Sequence, residues 1–130
     1  MIYGILNRLE QDETLQTLLN ASAEDNKIYP MNADKDKVPC LAFKDNPVSD
    51  DGRIKVNRLE LRIFDTDYER LEKIARRIGE ILIIQEGDEG FIFQDMSIMS
   101  CSQDGGGNTE DLANKIYQKY YYFNITWRYL

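Results

Sequence analysis

The chain has 130 residues, with 23 acidic and 16 basic side chains, no histidine and a formal charge of −7. That length supports one domain, residues 1–130, whose core needs neither disulfide nor metal. The missing histidine excludes Ser-His-Asp and Cys-His catalysis and imidazole metal sites, and the acidic balance argues against broad nucleic-acid affinity, which needs clustered Lys and Arg.

Ile2, Ile5, Leu6 and Leu9, then Leu15, Leu18 and Leu19, recur at helical spacing. They predict helix over 2–19 with a break near Gln11, where Asp12 and Glu13 cap a second turn. Lys27 to Pro30 reads as a short extended piece that Pro30 ends or confines to an edge, and Asn32 to Lys37 reads as a turn. Val38 to Lys44 predicts a strand, with Pro39 at its start or on an edge. Asp45 to Gly52 reads as a loop closing in an Asp51-Gly52 hairpin turn. Arg53 to Phe64 predicts the clearest strand. Ile54 and Val56 have opposite parity to Leu59, Leu61 and Ile63, so a β-bulge is expected near Asn57 or Arg58.

Thr66 to Ile84 predicts the strongest helix, with Tyr68, Leu71, Ile74, Ala75, Ile78, Ile81 and Leu82 as its apolar stripe. Thr66 and Glu69 have capping-box spacing, and Glu69–Lys73 and Glu72–Arg76 are i,i+4 pairs in the favoured order. Arg76 and Arg77 read as a solvated face rather than a phosphate contact. Glu86 to Gly90 reads as an acidic turn. Phe91 to Cys101 reads as one strand, with Phe91, Phe93, Met99 and Cys101 on one face and Ile92, Met96 and Ile98 on the other. Two-sided apolarity implies cover on both faces, the second from another subunit. Gln103 to Leu112, with Gly105-Gly106-Gly107, reads as a flexible loop. From Tyr117 to Tyr129 aromatic and apolar residues alternate with polar ones, predicting a central strand. Together these elements predict an α+β domain: a mostly antiparallel four- to five-stranded sheet with two main helices packed on one face.

Residues 85–111 carry seven acids and no base, an amount equal to the whole imbalance. Such unevenness suits docking in one orientation, and solvated acidic loops account for it equally well. Cys40 and Cys101 lie in apolar runs and read as buried thiols; whether they approach each other is not a property of the sequence. The N-terminal residues lack a signal-peptide pattern, and no apolar run approaches the ~20 residues that cross a bilayer, so the expected setting is the cytoplasm. The triple glycine lacks the Lys-Ser or Lys-Thr of a phosphate loop. Asp65/Asp67, Asp50/Asp51 and Asp88/Glu89 sit where capping acids are expected, with no calcium-loop spacing. No catalytic, metal or cofactor residue is therefore assigned. The tyrosines at 117, 120, 121, 122 and 129 suit core and interface better than base stacking, which comes with basic grooves.

The layout resembles the tail-completion family of long-tailed bacteriophages and prophages, also called tail terminator or head–tail joining proteins. The resemblance is carried by Ile28-Tyr29-Pro30, Val38-Pro39-Cys40-Leu41-Ala42-Phe43, the run Asn57 to Phe64 leading into Asp67-Tyr68-Glu69-Arg70-Leu71 and Ile74 to Ile78, and the closing strand Tyr122 to Arg128. It implies a non-enzymatic virion protein that forms a hexameric ring of its own copies at the head-proximal end of the tail tube. The ring ends tube polymerisation and joins tail to head. Implied partners are the tail tube protein and the head connector protein; DNA passes the lumen without specific binding, and no membrane is involved. The family implies no catalytic residues and no cofactor. Assembly would take place in the host bacterium's cytoplasm and end in the virion tail or neck. Candidate subunit-interface residues are Phe91, Phe93, Met96, Ile98, Tyr120 and Tyr122; candidate partner-facing residues in loops are Asp50, Asp51, Asp88, Glu89 and Asp104. Two other readings stay open: a connector adaptor or stopper, and a small dimeric regulatory or ligand-binding domain.

Overall fold

The computed structural model describes residues 1–85 and 87–130; Glu86, part of the expected turn 86–90, lies outside the described residues. Helices α1 (Ile2–Gln11) and α2 (Glu13–Leu18) come first, then β1 (Ile28–Pro30), a 3-10 turn at Lys35–Lys37, β2 (Cys40–Asp50) and β3 (Lys55–Asp65). Helix α3 (Tyr68–Leu82) leads to β4 (Phe91–Phe93), β5 (Met96–Asp111) and β6 (Ile116–Tyr129). The break expected near Gln11 is real: Asp12 caps α2, its carboxylate accepting from Leu15 N at 2.9 Å. In α3 the cap is Asp67 and not Thr66, with Asp67 Oδ1 accepting from Glu69 N and Arg70 N.

The sheet corrects the expected architecture. It has six strands in the order β1-β2-β3-β6-β5-β4 and is mixed, since β1 runs parallel to β2 while every other pair is antiparallel. It curls into a half-barrel. The curl has local causes, because β-bulges bend a strand and raise its twist, and register shifts fall at Pro47/Ser49, Ile98/Ser100 and Gln103/Gly106. The overall class is nonetheless α+β.

The added strand comes from the run 91–101, which divides into β4 and β5, and two strands run on where loops were expected. Strand β2 runs on through Pro47 to Asp50. Strand β1 pairs only as far as Phe43, so beyond it one side of β2 is an edge, where a residue without an N–H is tolerated. Strand β5 continues through Gly105–Gly107 to Asp111, with Asp104 and Gly105 together opposing Tyr122 in a bulge and Gly105 at φ 84. The bulge expected near Asn57 lies across the hairpin, in β2. Strand β3 itself pairs with β6 in unbroken register from Lys55↔Trp127 to Asp65↔Tyr117. Val56 therefore lies on the face opposite Leu59, Leu61 and Ile63.

Those three residues, with Phe123, Ile125 and Trp127 of β6, line the core face. Ile5, Leu9 and Leu15 of α1 and α2 pack on it together with Leu71, Ile74, Ile78 and Leu82 of α3. All three helices thus cover one face. As expected from its alternation, β6 is central, flanked by β3 and β5. Lys119 also faces the core side of β6, only 8% exposed. Its ammonium donates to Glu72 Oε1 of α3 at 2.8 Å and to Asn108 Oδ1 of β5 at 3.0 Å, and it lies over the Tyr68 ring.

Candidate functional site

The run Phe91 to Cys101 is a hairpin and not one two-faced strand. The chain turns at Gln94-Asp95, with Gln94 at φ 54, and pairs Phe93 with Met96 and Phe91 with Ile98. A two-residue turn reverses the chain, so residues of opposite sequence parity share a face: Phe91, Phe93, Met96 and Ile98 all turn to the subunit's own core. The Ile98/Ser100 shift, which leaves Met99 unpaired, then brings Cys101 to that face as well. Ile98 is fully buried and Met96 is 7% exposed. That shared face is covered by α1 of the same subunit, where Gly4 packs against Ile98 and Phe93, so the expected two-faced strand, and with it the cover expected from a neighbouring subunit, does not arise. In this hairpin, the surface is supplied by Ile92, which is 65% exposed.

Tyr120 and Tyr122 lie on the opposite, helix-free face of β6, facing Arg62 and Glu60 of β3 in register. Their rings meet edge to face at 5.9 Å. The Arg58 guanidinium sits 4.3 Å from the Tyr122 ring centre. Glu60 accepts two bonds from Arg62, at 3.0 and 2.8 Å. Tyr120 lies across Gly107, where an added Cβ would come within 2.7 Å of the phenol oxygen. The triple glycine therefore makes room for an aromatic ring.

The acids singled out are largely engaged in holding turns. Asp50 accepts from Gly52 N and pairs with Lys55 at 2.5 Å; Asp51 accepts from Arg53 N and Ile54 N. These bonds hold both carboxyls below the usual carboxylate range, Asp50 chiefly through Lys55 and Asp51 through the backbone of Ile54. Asp88 accepts from Gln85 N, and Asp104 accepts from Asn124 Nδ2 on the helix-free face. Glu89 is exposed. Asp65 and Asp67, considered above as a metal pair, have other partners. Asp65 is fully buried under a forked Arg70, both bonds at 2.7 Å, while Asp67 caps α3. Among the described residues no group of three or more Cys, Asp or Glu could hold a metal ion.

Both cysteines are free and buried, and burial pushes their thiols up, Cys40 to about 11 and Cys101 to about 12. Among the described residues no helix is long and apolar enough to cross a membrane.

A second surface escaped sequence reasoning. The Asp51–Lys55 turn and the end of β6, Arg128 and Tyr129, enclose an open cleft of about 500 Å³. Arg53 and Arg128 line it, and neither pairs with a carboxylate among the described residues. No spacing in the sequence marks it, because a turn and the end of a strand far along the chain meet only in the fold.

No family model matches the chain, and no curated protein matches it. Among solved structures, a chain described as "Virion of native gene transfer agent (GTA) particle" has the same fold, with a TM-score of 0.70. The match covers 95% of this chain and 91% of that one, at 9% sequence identity. At that identity the likeness is one of fold.

Proposed function

We propose that this chain is a structural protein of a phage-like virion: a ring subunit at the head-proximal end of the tail tube that ends tube polymerisation and joins tail to head. The observation that carries the reading is the near end-to-end agreement of fold with a chain of a gene transfer agent virion. The sequence resemblance to tail-completion proteins supports it independently of that fold match. Most of the carboxylates weighed as metal ligands are engaged in caps, turns and ion pairs, consistent with a role in assembly rather than chemistry.

In this reading the subunit contacts copies of itself, the tail tube protein and the head connector protein, and DNA traverses the ring without specific binding. Tyr120 and Tyr122 on the helix-free face contribute to subunit contacts, while Asp50, Asp51, Asp88, Glu89 and Asp104 face neighbouring copies or ring proteins. The test is deletion of the gene followed by electron microscopy of the particles. Overlong tail tubes are expected. Normal tails beside leaking heads would instead assign a connector adaptor or stopper, and intact particles would overturn both readings.

A further inference from the structure

The cleft between the Asp51–Lys55 turn and the end of β6 combines charge with apolar surface. Ile54 and Tyr129, 37% and 55% exposed, flank the exposed Arg53 and Arg128. Lys55 is held beside them by Asp50 and lies over the rings of Trp127 and Tyr129. The surface of opposite sign lies two strands away on the same face of the subunit, since Ile92 pairs with Ser97 and Ser97 with Arg128. Asp88 and Glu89, with no cationic partner among the described residues, are followed by the exposed Ile92 at the outer edge of the sheet. Glu89 and Ile92 line one shallow depression there.

We infer that the cleft of one copy receives the Asp88-Glu89 loop of a second copy, with Arg53 and Arg128 meeting the two carboxylates and Ile92 packing on Ile54 and Tyr129. Two properties of the pair select a second copy over another partner. The charges are complementary, and each patch places an exposed apolar residue next to its charged pair. Because the two patches lie side by side on one face, the cleft of each copy can meet the loop of the other across a two-fold axis, an isologous contact that closes at two copies. Exposed ion pairs contribute modestly and are screened by salt. Their part is orientation and rate of encounter, while the apolar contact supplies burial. This contact pairs two copies of the chain and stands apart from the ring reading above.

Charge reversal tests it with variants whose changed side chains are all at the surface. The cleft variant carries Arg53→Glu and Arg128→Glu; the loop variant carries Asp88→Lys and Glu89→Lys. Circular dichroism and melting temperature first establish that each folds as the wild type does. Sedimentation of the wild type at low salt should show self-association that weakens as salt rises. Each variant alone should associate at least about tenfold more weakly, because like charges then face each other across the contact. Mixed in equal amounts, the two variants should recover wild-type association, since each cleft again meets a loop of opposite sign. Wild-type association by either variant alone overturns the contact, and so does failure of the mixture to recover. A wild-type chain that stays monomeric at low salt up to about 1 mM, the range of the weakest specific contacts, overturns it too. The ring reading fails on a different observation, unaltered particles after gene deletion.

Discussion

Arg77 of α3 grips Asp12, 65 residues away in sequence, with Nε donating to Oδ2 at 2.9 Å and Nη2 donating to Oδ1. The same carboxylate caps α2. One side chain thus ends α1, starts α2 and ties both to the helix that spans the sheet.

Asp12→Ala is expected to cost about 1–2 kcal/mol, the upper part of the range for losing a helix cap, read as a lower urea midpoint. The hydrogen bonds from Arg77, then burial working against them, leave the Asp12 carboxyl below its ordinary value of 3.8. A depressed folded-state pKa means the charge stabilises fully above about pH 4, and that contribution is lost as pH falls through the depressed value. Asp12→Asn, which still caps, should therefore be less stable than wild type near neutrality. The gap should shrink on acidification below about pH 4.

Asn57 interrupts the apolar stripe of β3 on the core side. Its Oδ1 accepts from Trp127 Nε1 at 2.8 Å, and its Nδ2 donates to Asp45 Oδ1 at 2.8 Å. Asn57→Leu would extend the stripe, yet it leaves the indole N–H of a residue only 8% exposed without its acceptor. An orphaned buried donor costs about 1–3 kcal/mol, against about 1.5–3 kcal/mol for a leucine fully buried, of which this half-buried site would return only part. Net destabilisation is expected. Trp127 is the only tryptophan, so its fluorescence maximum reports the change directly.

Gly4→Ala sets two effects against each other. Helix propensity favours alanine by about 1 kcal/mol. The added methyl, however, would sit 2.9 Å from Ile98 Cδ1 and 3.2 Å from Phe93 Cβ. Overpacking costs about 1–3 kcal/mol, so the variant should melt lower than wild type.

Gln94→Gly should raise stability. Gln94 holds φ 54 at the β4–β5 turn, a conformation that costs a residue with a Cβ about 1–2 kcal/mol. Glycine loses up to about 1 kcal/mol more chain entropy on folding. A gain of about 0.5 kcal/mol is expected in chemical denaturation, with no change in the far-ultraviolet spectrum.

What could be read from the sequence was whatever repeats within one element. Strand β6 alternates along nearly its whole length, so its central place and the outward direction of Tyr120 and Tyr122 were legible. Asp12 was legible because a capping acid sits at a break in a helical stripe. The β4–β5 hairpin was not, because Gln94-Asp95 lacks the glycine or asparagine that usually marks so tight a turn. Its apolar flanks imitate a strand buried on both sides. Pro47 and Gly105–Gly107 punctuate like loops, yet an edge tolerates the proline and a bulge absorbs the glycines. Lys119 was missed because its partner Glu72 comes from another element, and such a pair leaves no spacing signature. The basic cleft was missed for the same reason, since it joins a turn to the end of a strand far along the chain.

Strand order carries a consequence for how the molecule comes into being. Strand β3 ends at Asp65, but its neighbour β6 does not begin until Ile116, and β6 lies between β3 and β5. As the polypeptide leaves the ribosome, β1 to β3 and α3 therefore appear with Leu59, Leu61 and Ile63 flanked on one side by nothing. Non-local pairings of this kind form slowly, and an unpaired strand edge beside an apolar surface invites association between immature chains. Late insertion of β6 joins the two halves of the sheet and removes that hazard in a single step. Truncations that stop short of Ile116 should accordingly collect in inclusion bodies, and substitutions in β6 should slow maturation of the whole chain.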